Sequence, residues 1–253
     1  MRQIFLAAVV AFFSCISTAM LGAGNFDAPR KIDWPHGGPF GTFDRASLQR
    51  GLQVYQEVCA GCHSLRLIAF RTLSEIGLNE EEVKALASEA TFLDGPNDDG
   101  EMFERPGKPS DYFPSPFPNE KAARVANNGA FPPDLSLIIK SRAGSENYLF
   151  SLLSGYQEAP DGVKMAEGMY YNPYFPGHQI AMAPPLTDEA VEYADSTKAS
   201  IEQMSKDVSA FLAWAAEPTL EDRRRMGVKV ILFLLVFAGV LFLAKRKIWS
   251  NVS

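Results

Sequence analysis

Cysteine and histidine are both scarce in this 253-residue chain, with three of each. Cysteines 15, 59 and 62 are too few and too unevenly spaced to staple a small secreted fold. A structural zinc site needs a second ligand pair. No other cysteine stands in the body, and His36 and His178 are far apart in sequence. No stretch alternates convincingly at period two and no internal repeat is visible, so the expected fold class is mainly α. Basic charge is in deficit in the body. All 30 acidic residues fall between Asp27 and Asp222 with only 16 of the 24 Lys and Arg, a net of −14 there against −6 for the whole chain. Phosphate contact requires a basic face, so no nucleic-acid partner is expected, whereas a basic partner or a membrane is. The remaining composition, 47% hydrophobic and 21% charged, is that of a chain able to bury a core.

Both ends carry membrane signals. Arg2, the apolar run 4–13 and the small residues Ser17, Ala19, Gly22 and Ala23 have the three-part build of a secretory signal peptide, expected over 1–24. The run is far short of the roughly 20 residues that span a bilayer, and it lacks the Arg-rich amphipathic character of a mitochondrial import segment, which favours bacterial export. At the other end, 230–244 is unbroken apolar sequence, and the stretch from Met226 with Lys229 snorkelling gives about 28 Å of helix. This predicts a transmembrane anchor over 223–248. The basic flanks Arg223, Arg224, Arg225 and Lys245, Arg246, Lys247 are nearly symmetrical, so orientation follows from the signal peptide: a periplasmic head and a cytoplasmic tail, 249–253.

The body, 25–222, reads as one domain. Helices are expected over 47–58, 79–89 with an Asn79/Glu82 capping box, 119–128 ending at Gly129, 145–154 ending at Gly155, and 199–217 ending at Pro218. Between them lie long irregular connections, notably 94–118 and 162–185. Loops of that length are usually functional or wrap something.

Cys59-Ala60-Gly61-Cys62-His63 indicates what they wrap. In C-x-x-C-H the two thiols add to porphyrin vinyl groups and the adjacent imidazole becomes an axial ligand of a c-type haem. A thioredoxin-like dithiol would need a preceding strand, whereas a helical pattern precedes Cys59. His36, His178, Met102, Met165, Met169, Met182 and Met204 are the candidates for the sixth ligand. Met204 falls on a core stripe and Met102 sits among carboxylates. Met182 lies in Ile180-Ala181-Met182-Ala183-Pro184-Pro185-Leu186, where the prolines stiffen an extended segment; filling a core gap is its alternative use, and His178 is the runner-up ligand.

The C-A-G-C-H run, the stretches 127–136 (NNGAFPPDLS), 168–177 (GMYYNPYFPG) and 180–186, and Trp214-Ala215-Ala216-Glu217-Pro218 before a single membrane helix together resemble the cytochrome c1 family, in order from about Asn25 to Trp249. The resemblance implies one covalently bound haem c with thioether links at Cys59 and Cys62, axial ligands His63 and Met182, and propionate contacts from Arg142 and Tyr148. It implies a c-type cytochrome head in the ubiquinol:cytochrome c oxidoreductase. There it takes electrons from the Rieske iron-sulfur protein and passes them to a soluble cytochrome c, beside cytochrome b in a dimeric complex of the bacterial inner membrane. Such a chain is not an enzyme on its own but a redox subunit of one. A free-standing membrane-anchored shuttle is the alternative, although only 218–222 separate head from anchor. The acidic stretches 80–82, 94–104 and Asp188, Glu189, Glu192 and Asp195 are candidate docking charges. Some relatives brace the loop before the methionine with a disulfide. Here no cysteine follows Cys62, so packing of Tyr170, Tyr171, Tyr174 and Phe175 is expected to hold it.

Overall fold

The computed structural model describes residues 26–250. The expected signal peptide, Cys15 and the last three residues of the tail lie outside the described residues. Helices are α1 (Arg45–Val54), α2 (Glu80–Ser88), α3 (Glu120–Ala126), α4 (Ile138–Ser141), α5 (Ser145–Ser154), α6 (Ile201–Ala216) and α7 (Leu220–Trp249). A π-helical turn, Tyr55–Cys59, continues α1, and a 3-10 helix covers Phe70–Ile76. The fold is mainly helical, as expected.

Local chemistry sets the helix starts. Asp44 accepts from the Ala46 N–H at the head of α1, and Ser200 accepts from the Gln203 N–H at α6. The Asn79/Glu82 capping box is formed in both directions. Helix α5 covers the expected residues but starts without a side-chain cap: Gly144 at φ +89° precedes it, and Ser145 itself has positive φ.

Two antiparallel hairpins were not legible as alternation. Strand β1 (Thr91–Asp94) pairs with β2 (Phe103–Pro106), and β3 (Tyr170–Tyr171) with β4 (Gln179–Ile180). Strands of four and two residues are too short to show a period. They lie within or beside the stretches expected to be irregular, and β4 ends two residues before Met182.

The core is built where α1 and α5 pack on α6. Leu48, Leu52, Val54, Phe150, Met204, Val208, Phe211 and Trp214 are buried there. At Gly51 a Cβ would lie 2.1 Å from the Asp207 carbonyl oxygen and 2.6 Å from the Phe211 Cβ, so glycine is what lets α1 and α6 cross in backbone contact. The same crossing holds a buried ion pair. The Asp207 carboxylate, fully inaccessible, accepts from Ser47 Oγ at 2.6 Å, Arg50 Nε at 2.8 Å and Gln203 Nε2 at 2.9 Å.

Helix α7 is long and apolar enough to cross a membrane and is not buried within the chain over its apolar window. It starts three residues earlier than expected, and its first turns belong to the head. Leu220 is buried, and Glu221 accepts from the Phe43 N–H at 2.7 Å and pairs with Arg45 at 3.0 Å. Arg224 donates to the carbonyls of His36 and Gly41, each at 2.8 Å. Arg223 and Lys140 both bind Glu217, and Arg223 foremost holds its carboxyl down at about 2.

Replacing Gly51 with Ala should destabilise the chain by about 3 kcal/mol, the upper part of the range for overpacking, because backbone must move to relieve the clash. Denaturant unfolding of the detergent-solubilised chain, followed by Trp214 fluorescence, checks this. An unchanged midpoint would contradict the close crossing.

Candidate haem site

The C-x-x-C-H run begins where the helix widens. The Ala60 N–H donates to the Tyr55 carbonyl at 2.7 Å, one residue beyond the α-helical spacing, and then the Cys62 and His63 N–H groups both return to the Cys59 carbonyl at 3.1 and 2.9 Å. The buried Tyr55 closes the turn by donating its hydroxyl to the His63 carbonyl at 3.1 Å. Cys62 and His63 are thereby brought back over the end of the helix that carries Cys59.

Cys59 is part-buried against the core, and burial first, with Cys62 adding to it, pushes its thiol up to about 12; Cys62 is exposed. Among the described residues no three His, Cys, Asp or Glu side chains form a metal cage.

His63 Nδ1 lies 2.8 Å from the Pro133 carbonyl oxygen. A carbonyl only accepts, so Nδ1 donates and the lone pair is left on Nε2, the arrangement that orients a ligating histidine. Burial lowers the imidazole pKa and outweighs the Pro133 carbonyl and Asp134, which favours the neutral ring. Pro133 is held in turn by Asp134. This carboxylate accepts from Ser64 Oγ at 2.7 Å, the Arg66 N–H at 3.0 Å and the Ser136 N–H at 2.9 Å, while the Leu135 N–H donates to the Ser64 carbonyl at 2.8 Å and the Leu67 N–H to Ser136 Oγ at 3.1 Å. Two segments about 70 residues apart are thus laced together around His63. Burial would raise the Asp134 pKa, but its donors from Ser136, Arg66 and Ser64 prevail and lower it.

Met182 is half-buried and packs against both the main core and a second cluster of Tyr148, Leu152 and Ile180, with Tyr156 and Phe175 at its edge. The Tyr156 hydroxyl donates to the Met182 carbonyl at 3.0 Å. Tyr148 is buried; burial raises its phenol pKa and the charge of Arg142 opposes this, so the exposed guanidinium lies within electrostatic reach. The structure therefore places Met182 against the cluster that contains Tyr148, and Arg142 within electrostatic reach of Tyr148.

Four of the other candidate ligands have settings of their own. His178 sits at positive φ in the β3–β4 turn with its ring stacked on Tyr171, centroids 5.7 Å apart. His36 is buried between Trp34 and Phe43 near Glu146. Met204 is in the core and Met102 is exposed, as expected.

The side chains present fit a c-type haem: two thiols on one turn, an imidazole oriented by its second nitrogen, and a thioether held in an apolar cluster. Sequence reasoning missed Asp134, Tyr55 and Tyr156. Asp134 lay inside a quoted motif, but nothing in one sequence assigns it a role.

The cytochrome C1 family model matches residues 34–252. Chains of matching sequence include a cytochrome b/c1 of Bradyrhizobium diazoefficiens, 48% identical over 97% of this chain and 39% of that protein. A mitochondrial cytochrome c1 heme protein of Arabidopsis thaliana is 54% identical over 89% of this chain and 73% of its own length, and a cytochrome c1 of Rhodospirillum rubrum 48% identical over 88% of each. The chain belongs to the cytochrome C1 family. A covalently bound c-type haem and electron transport come with that family, and the Cys59–Cys62 spacing is consistent with them. Family membership and one apolar C-terminal helix fit a membrane-anchored protein.

Asp134→Ala should cost about 3 kcal/mol, since it orphans part-buried donors on both sides of His63. The pH dependence has a definite sign. A depressed carboxylate pKa adds stability above its unfolded value of about 3.9, and this is lost as pH falls through the folded value. Unfolding midpoints measured from pH 7 downward should converge for wild type and variant in acid. A gap that persists there would show that Asp134 acts without its charge.

Proposed function

We propose that the chain is the haem-bearing electron-transfer subunit of a bacterial ubiquinol:cytochrome c oxidoreductase, not catalytic alone, receiving electrons from a Rieske iron-sulfur protein and delivering them to a soluble cytochrome c. The observation that carries this is His63, held by the Pro133 carbonyl one residue from the second cysteine of the C-x-x-C-H turn. The haem, when bound, supplies a one-electron couple. Everything else would be done by the protein: Cys59 and Cys62 would tether it, His63 and Met182 would supply the iron ligands, and Arg142 with Tyr148 would receive the propionates. Tyr148, Leu152, Ile180 and Phe175 keep water from the Met182 side.

Cytochrome b is the expected membrane neighbour. The name of the Bradyrhizobium relative joins b and c1, and this chain spans 39% of that protein's length. The head, about 25–222, lies in the periplasm of the inner membrane, with the tail after 248 in the cytoplasm, and the complex is dimeric. A free-standing shuttle is disfavoured by the junction, since Glu217, Pro218 and Thr219 alone part α6 from α7 and Arg224 ties the anchor to the head.

The acidic head suits a basic acceptor. Several carboxylates already have structural duties: Glu80 pairs with Lys84, Asp94 with Arg105, Asp195 with Arg50, and Glu82 serves the capping box. Glu81, Asp98, Asp99, Glu101, Glu104, Glu189 and Glu192 make no ion pair among the described residues and remain available for steering.

Met182→Leu should retain covalent haem, lower the midpoint potential by on the order of 0.1 V or more, and admit carbon monoxide to the reduced iron. Redox titration of the purified complex checks it. An unchanged potential with no carbon monoxide binding would move the assignment to His178. Separately, the second-order rate with a basic acceptor should fall steeply as salt shortens the Debye length to about 8–10 Å. A flat dependence would assign the surplus acidity to solubility or to other subunits.

A further inference from the structure

We infer that Tyr156 is a positioning residue that holds the Met182-bearing segment in place, a role resting on the reading of Met182 as the sixth ligand. The segment 182–186 is poor in anchors of its own. Pro184 and Pro185 have no N–H, and among the described residues 182–186 makes no backbone-to-backbone hydrogen bond outside the strands. The bond from the Tyr156 hydroxyl to the Met182 carbonyl is its one side-chain hydrogen bond among the described residues. A disulfide is excluded by the absence of cysteine after Cys62.

Tyr156 is itself well fixed. It follows the C-terminus of α5, which packs on α6 and supplies Tyr148 and Leu152 to the cluster around Met182. Gly155 lets the Tyr174 ring lie against the end of α5, since a Cβ there would fall 2.5 Å from that ring. Asn172, fully buried, ties the neighbouring hairpin to the same helix end by donating Nδ2–H to the Leu152 carbonyl at 2.8 Å. The phenol thus transmits the rigidity of α5 to the peptide unit of the ligand residue. A supporting group of this kind decides whether a ligand stays on its metal.

Tyr156→Phe in the assembled complex keeps the ring and removes the hydroxyl, with Met182→Leu as the parallel variant. Covalent haem content should be unchanged. The fraction of reduced iron open to carbon monoxide should rise roughly five-fold, the factor that the net worth of one neutral hydrogen bond gives, and the midpoint potential should shift downward with it. If Met182→Leu opens the iron while Tyr156→Phe matches wild type, the positioning role is overturned. If Met182→Leu also matches wild type, it is the ligand assignment that fails.

Discussion

The donation from His63 Nδ1 to the Pro133 carbonyl, 2.8 Å long, makes one demand on the rest of the molecule: two segments remote in sequence must stay in register to a fraction of an ångström. The site answers it from both sides. On one side the widened turn after α1 and the Tyr55 hydroxyl fix the backbone of His63. On the other, Asp134 binds Ser64, the Arg66 N–H and the Ser136 N–H, so the carbonyl one residue earlier is held against the same turn. Helix α1 is anchored in turn by its crossing with α6, where Gly51 admits the backbone of Asp207 and Arg50 neutralises that buried carboxylate. Loss of Arg50 would leave an uncompensated charge in the core, a far larger cost than loss of a surface pair.

Much of this was legible in the residues. The C-x-x-C-H run, the capped helices and the apolar C-terminal run were plain because each depends on a short local pattern. The short hairpins escaped, because two- and four-residue strands leave no period to detect. Tyr55, Asp134 and Tyr156 escaped for another reason. Their partners lie 8, about 70 and 26 residues away, and no local pattern announces a hydrogen bond to a distant backbone group. The four aromatics expected to brace the methionine loop divide in their behaviour. Phe175 joins the Met182 cluster, Tyr174 meets α5 at Gly155, Tyr171 stacks on His178, and Tyr170 is exposed.

The basic residues before the membrane helix show how folding changes the meaning of a charge cluster. In sequence, Arg223, Arg224 and Arg225 mirror Lys245, Arg246 and Lys247 as flanks of an apolar run. In the fold the first set faces the head: Arg223 is spent on Glu217, Arg224 on two backbone carbonyls, and Arg225 lies near Glu221 and Asp222. The anchor therefore continues the head through a three-residue break, Glu217 to Thr219.

The central claim, that Cys59 and Cys62 tether a haem whose iron His63 is oriented to bind, is tested most directly by mass spectrometry of the tryptic peptide spanning residues 51–66 after acid–organic extraction of free haem. The account predicts a peptide that retains the full mass of one haem and no free thiol. A peptide recovered at its bare mass with both thiols alkylatable, the haem having left with the solvent, would contradict it.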